Sequence, residues 1–125
     1  MRRIAVLLAL ALSAPATASA QDIWTWTLYE NPGAVALANE VPDSAKLAAV
    51  LECQPGSGAA KVSIFPEGGR SRTPVTGEFK TSEAAFSAFV RSGRLSLRTQ
   101  GGAGEIAMDA EHRPKLERFA RLCGA

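Results

Sequence analysis

The chain has 125 residues, 46% of them hydrophobic, with 14 Lys and Arg against 12 Asp and Glu and only two cysteines. This is one domain's worth of sequence, enough to bury a core of its own. A formal net charge of +2 argues against a strongly basic nucleic-acid binder, and no apolar run reaches the roughly 20 residues that a membrane-spanning helix needs.

Arg2 and Arg3, an apolar run over residues 4–12 and the small residues Ala18, Ser19 and Ala20 follow one another as the three zones of a secretory signal peptide. Residues 1–20 are therefore expected to be removed, leaving a single domain over 21–125 in the periplasm or outside the cell. Gln21 stands where a lipoprotein needs cysteine, so no lipid or membrane anchor is expected. Loss of Arg2 and Arg3 leaves twelve basic and twelve acidic residues. They are unevenly spread: residues 21–69 carry two lysines and six acids, and residues 70–125 carry ten bases and six acids. The simplest expectation is that the two halves face each other in the fold.

In residues 21–30, Trp24, Trp26 and Leu28 alternate with Thr25 and Thr27, the period of a strand rich in aromatic and β-branched residues. Asn31, Pro32 and Gly33 make a turn, and residues 34–39 return as a second strand. Residues 47–53 read as a third strand, although Ser44 could instead cap a short helix carrying Leu47, Val50 and Leu51. A Pro-Gly-Ser-Gly turn at 55–58 leads into the clear strand 61–65. Residues 66–74 have no apolar periodicity and carry two glycines and two prolines, so they read as an exposed loop. A strand over 75–80 follows.

Thr81 or Ser82 is expected to cap a helix that runs to Ser92 and stops at Gly93, with Phe86, Phe89 and Val90 on its core face. Residues 94–100 and 105–109 form a closing hairpin around a turn at Gly101–Gly104, with Ile106 and Met108 pointing inward. Pro114 opens the last helix. Leu116, Phe119, Ala120 and Cys123 share one side of it at i, i+3, i+4 and i+7, so the packed side also presents the cysteine. In an exported chain, Cys53 and Cys123 are more simply a disulfide than two free thiols. Closing that loop would restrict the unfolded chain by about 4 kcal/mol. The fold class that follows is α+β: a small, mostly antiparallel sheet, curled as a half-barrel or sandwich, with two short packed helices and one disulfide.

The order of signal peptide, central cysteine with a Gly-rich turn, Phe-containing helix ending in Ser-Gly, Gly-rich hairpin and terminal Leu-x2-Phe-x3-Cys resembles small exported proteins of Gram-negative bacteria that have no assigned role. The resemblance implies periplasmic residence and no activity.

His112 is the one histidine and hence the one ordinary candidate for a general base near neutral pH. No serine sits in a nucleophile-elbow context, so His112 reads as a surface residue beside a helix start. The glycine clusters at 56–58 and 101–104 lack the strand, helix and lysine context of a phosphate loop. No cofactor is expected, and a zinc site lacks ligands, since His112 alone could join the two cysteines. Two candidate contact surfaces remain. One is basic, with Arg113, Lys115, Arg118 and Arg121 along the outward side of the last helix, suited to an acidic protein or an anionic envelope polymer. The other is the aromatic pair Trp24 and Trp26, for which core packing is the simpler use. The reading that follows is a non-catalytic binding or inhibitory module of the cell envelope, with an assembly subunit and a small hydrolase-type enzyme as alternatives.

Overall fold

The computed structural model describes residues 22–125; the expected signal peptide lies outside the described residues. The fold is α+β with a mostly antiparallel architecture, as its alternating segments predict. Five strands, β1 (Thr25–Asn31), β2 (Ala34–Glu40), β3 (Leu47–Cys53), β4 (Ala59–Ile64) and β5 (Val75–Lys80), form one antiparallel sheet in chain order. The sheet is not closed into a barrel. A separate hairpin of β6 (Arg94–Thr99) and β7 (Gly102–Ala107) makes the second sheet. Helices α2 (Ala84–Ser92) and α3 (Arg113–Cys123) complete the core, and a single short turn, α1 (Pro66–Gly69), lies in the segment expected to be irregular.

Register explains how one sheet face becomes core. Leu28 pairs with Leu37, Leu37 with Leu51, Leu51 with Val62 and Val62 with Gly77, so one apolar row crosses all five strands. A second row joins Trp26, Asn39, Ala49, Ile64 and Val75 through the same pairings. Phe86, Phe89, Leu116 and Phe119 cover this face and are almost wholly buried, as their helical spacing predicts. Residues 47–53 are a strand; Ser44 spends its hydroxyl in a tight turn, donating to the carbonyl of Val41 and accepting the N–H of Lys46. That local bonding is available to serine in a turn without any helix behind it.

Three local expectations are corrected. Helix α2 begins one residue past Glu83, which is its N-cap, and neither Thr81 nor Ser82 caps it. Glu83 instead folds its carboxylate back to accept the N–H of Lys80 at 2.8 Å, which ties down the turn before the helix. The turn of the closing hairpin is Gln100 and Gly101 only, and Gly102 and Gly104 belong to β7. Gly104 is buried because a Cβ there would stand 2.8 Å from a side-chain carbon of Ile64. The missing side chain lets the hairpin lie directly on the end of β4. Residues 66–69 are likewise a hydrogen-bonded turn, with Gly69 N–H donating to the carbonyl of Phe65 and Arg70 N–H to that of Glu67, and Glu67, Gly68 and Gly69 all take left-handed backbone angles.

Cys53 and Cys123 are bonded, with Cα atoms 5.8 Å apart, inside the range such bonds require. The bond joins the end of β3 to the end of α3. The Gly-rich turn between β3 and β4 has a second use here. The N–H groups of Gly56 and Gly58 donate to the carbonyls of Leu122 and Cys123 at 2.8 and 2.7 Å. A helix leaves its last carbonyls without partners of its own, and in this fold a distant hairpin turn supplies two of them.

Candidate functional site

The basic side of α3 is largely committed within the chain. Arg113 donates from its guanidinium to the carbonyl of Arg91. Lys115 donates from Nζ to the carbonyl of Trp26 on β1. Arg118 forms an ion pair with Glu30, which holds the Glu30 carboxyl below its usual range and raises the guanidinium of Arg118. Among the described residues, Arg121 is the one of the four with neither a hydrogen bond nor an ion pair. Three of the four cations therefore already bond within the chain: long side chains on an outward helix side reach across to β1 and to the end of α2.

His112 is the N-cap of α3 and is less exposed than a solvated surface residue. Its Nδ1 lies 2.6 Å from Oδ1 of Asp109, and its Nε2 lies 3.4 Å from Oγ1 of Thr25 on β1. An ionised carboxylate can only accept, so Nδ1 is the donor. This bond holds the Asp109 carboxyl below its usual range. Asp109, Glu111 and His112 together place three ligand-type atoms within 4.8 Å of one another. The group sits at the positive end of a helix, followed at once by Arg113 and Lys115, a field that opposes a cation and favours the carboxylate. We assign it as the cap and strut that fix the start of α3 against β1.

Trp24 and Trp26 part company. Trp26 is 6% exposed and packs in the core, whereas Trp24, just before β1, is 36% exposed and stands against Gly69. Both flank the α1 turn, and a concavity opens beside it.

A cleft of about 410 Å³ opens between the hairpin and the end of the main sheet, within the usual size of ligand sites. Its floor is apolar, made by Trp26, Ala49, Ile64 and Ile106; one bank is β7 from Ala103 to Ala107 and the other is the Pro66, Glu67, Gly68 turn. Its two charged lining residues are Glu67 and Glu105, and no basic residue lines it. Glu105 accepts a 3.3 Å hydrogen bond from Ser96 across the hairpin. Glu67 holds φ +61, uncommon for a residue with a side chain, and such strain collects where the surroundings or a function demand it.

Sequence reasoning missed this site, since its parts come from residues 26, 39, 48, 64, 67 and 105, which no local pattern connects. One signal was present: glycine at 102 and 104 alternating with exposed residues in a strand marks close backbone approach. No protein-family model, no curated protein and no solved structure matches the chain, so the geometry carries the functional reading by itself.

Proposed function

We propose that the chain is an exported, disulfide-stapled recognition module of the bacterial cell envelope, with binding or inhibition of a partner as its activity. The observation that carries the reading is the cleft between β7 and the α1 turn, an apolar floor with two carboxylates on a scaffold held by hydrogen-bonded sheets and a staple. Apolar floors with a few placed polar groups are the usual form of recognition sites. The signal-type N-terminus and the paired cysteines support export. The basic helix face, three of whose four cations are engaged inside the chain, gives way to the cleft as the contact surface.

The test is photocrosslinking in exporting cells, with benzoylphenylalanine placed at Ala107 in the cleft or at Arg121 outside it. A discrete adduct at Ala107, formed by the processed protein, is the expected result. No adduct at either position overturns the module, and an adduct at Arg121 alone overturns the cleft as its site.

A further inference from the structure

The hairpin leaves β7 with one unpaired edge, and its register states which groups point there. In an antiparallel pair, opposed residues alternate between exchanging both hydrogen bonds and exchanging none. Just beyond β7 the N–H of Met108 donates to the carbonyl of Gly93 at 2.8 Å, so Gly93 and Met108 are a bonded pair. Stepping along the register by twos, the bonded partners are Leu95 with Ile106, Leu97 with Gly104, and Thr99 with Gly102. The backbone N–H and C=O of Ala103, Glu105 and Ala107 therefore point away from β6. These residues line the cleft, and no hydrogen bond to their main chain occurs among the described residues. On the free edge of β1, by contrast, Lys115 on α3 takes the carbonyl of Trp26.

An unpaired edge is usually blunted by a charge, most often lysine, by proline or by a bulge; of these β7 carries only the charge of Glu105, an acid. Its row of three donors and three acceptors matches an extended backbone and little else. We propose that β7 binds an extended segment of a basic protein partner as an added strand. Ala103, Glu105 and Ala107 would supply the main-chain ladder, and the carboxylates of Glu67 and Glu105 would take a Lys or Arg of the segment. This is strand addition: backbone bonds give affinity and alternate side chains give selectivity. One side of the added strand would face Ile64 and Ile106, which favours β-branched apolar residues at every second position. Charge argues for a basic partner over a second copy, since two β7 strands pairing about their middle would oppose Glu105 to its own equivalent. The proposal rests on the recognition-module reading and narrows it to one kind of partner.

The probe is the capped pentapeptide Thr-Val-Lys-Val-Thr, titrated into the 15N-labelled, disulfide-bonded protein. Saturable shifts of the Ala103, Glu105 and Ala107 amides are expected. Replacing the peptide's Lys with Glu should weaken binding about tenfold or more, the scale of one lost charge-assisted contact. Ala103→Pro removes an outward N–H and no hairpin hydrogen bond, and should weaken the complex by a similar factor. A peptide N-methylated on its bonding edge should fail against the unaltered protein, which tests the ladder without any variant that could misfold. Shifts confined to residues away from β7, indifference to N-methylation, or no saturable binding overturns strand addition. So does an Ala107 crosslink at twice the mass of the chain, which would make the edge a self-association surface. If the Ala107 adduct with another protein survives Ala103→Pro, strand addition falls while the recognition module stands.

Discussion

At the scale of single residues, burial and bonding separate side chains that look alike in the sequence. Phe89 is 1% exposed and meets Phe86 edge-on, with ring centroids 6.3 Å apart. Phe89→Ala should lower stability by about 3 to 5 kcal/mol, read from chemical denaturation of the oxidised protein. A loss under about 1 kcal/mol would mean that the aromatic pair contributes little to the core. Asp109 makes a different prediction. Its pKa is depressed in the folded state because His112 donates to it, so its contribution is present above the ordinary aspartate value. That contribution is lost as pH falls through the lower folded value, which places the window below about pH 4. Asp109→Asn should flatten the acid side of the stability profile in that window, and an unchanged profile would show that the cap does not depend on the charge. Trp24 and Trp26 show how much of this scale was legible. Alternation places both against the core, but Trp24 lies just outside the strand and keeps a third of its surface in water. The first residue of a pattern has neighbours on one side only, and the pattern itself does not reveal that.

At the scale of elements, local periodicity placed both longer helices and most strands, because each buries one face and so must repeat at 2 or about 3.6; it left residues 47–53 open between strand and helix and set β7 three residues late. What it left out are contacts between elements distant in the chain. Arg118 and Lys115 stand on the outward side of α3 by spacing, yet their partners are 88 and 89 residues away. The cleft is illegible for the same reason, its two banks being the edge of a late hairpin and a turn from the middle of the chain. The β3–β4 turn is the clearest case, reading as a plain hairpin turn while also closing the end of α3. Gly58 has φ +74, and a Cβ there would come 3.1 Å from the Cβ of Ala125. Gly58→Val should therefore cost about 1 to 3 kcal/mol through backbone strain and a weakened helix end. Gly33, with nothing within 4 Å of its would-be Cβ and no positive φ, provides the comparison: Gly33→Ala should change stability by about 0.5 kcal/mol or less. Equal losses at the two positions would remove the turn from the account of α3.

At the scale of the whole molecule, one ion pair, Glu30 on β1 with Arg118 on α3, joins the acidic first half to the basic second half, while Lys46–Asp22 and His112–Asp109 each lie within one half. The stronger tie is covalent. Cys53→Ser or Cys123→Ser should destabilise the domain by about 2 to 5 kcal/mol, and full stability in the reduced protein would show that the sheet and helices hold without the staple. The separation of 70 residues between the two cysteines also sets an order of events during synthesis. The five-stranded meander is built from neighbouring strands and can assemble as the chain appears. Through all of that time Cys53 is a single thiol with no intramolecular partner. The only wrong linkage open to it is with another molecule, because two cysteines allow one pairing within a chain. Closing this bond thus calls for an oxidant and some protection from neighbouring molecules, and a reshuffling enzyme would have no mispairing within the chain to correct.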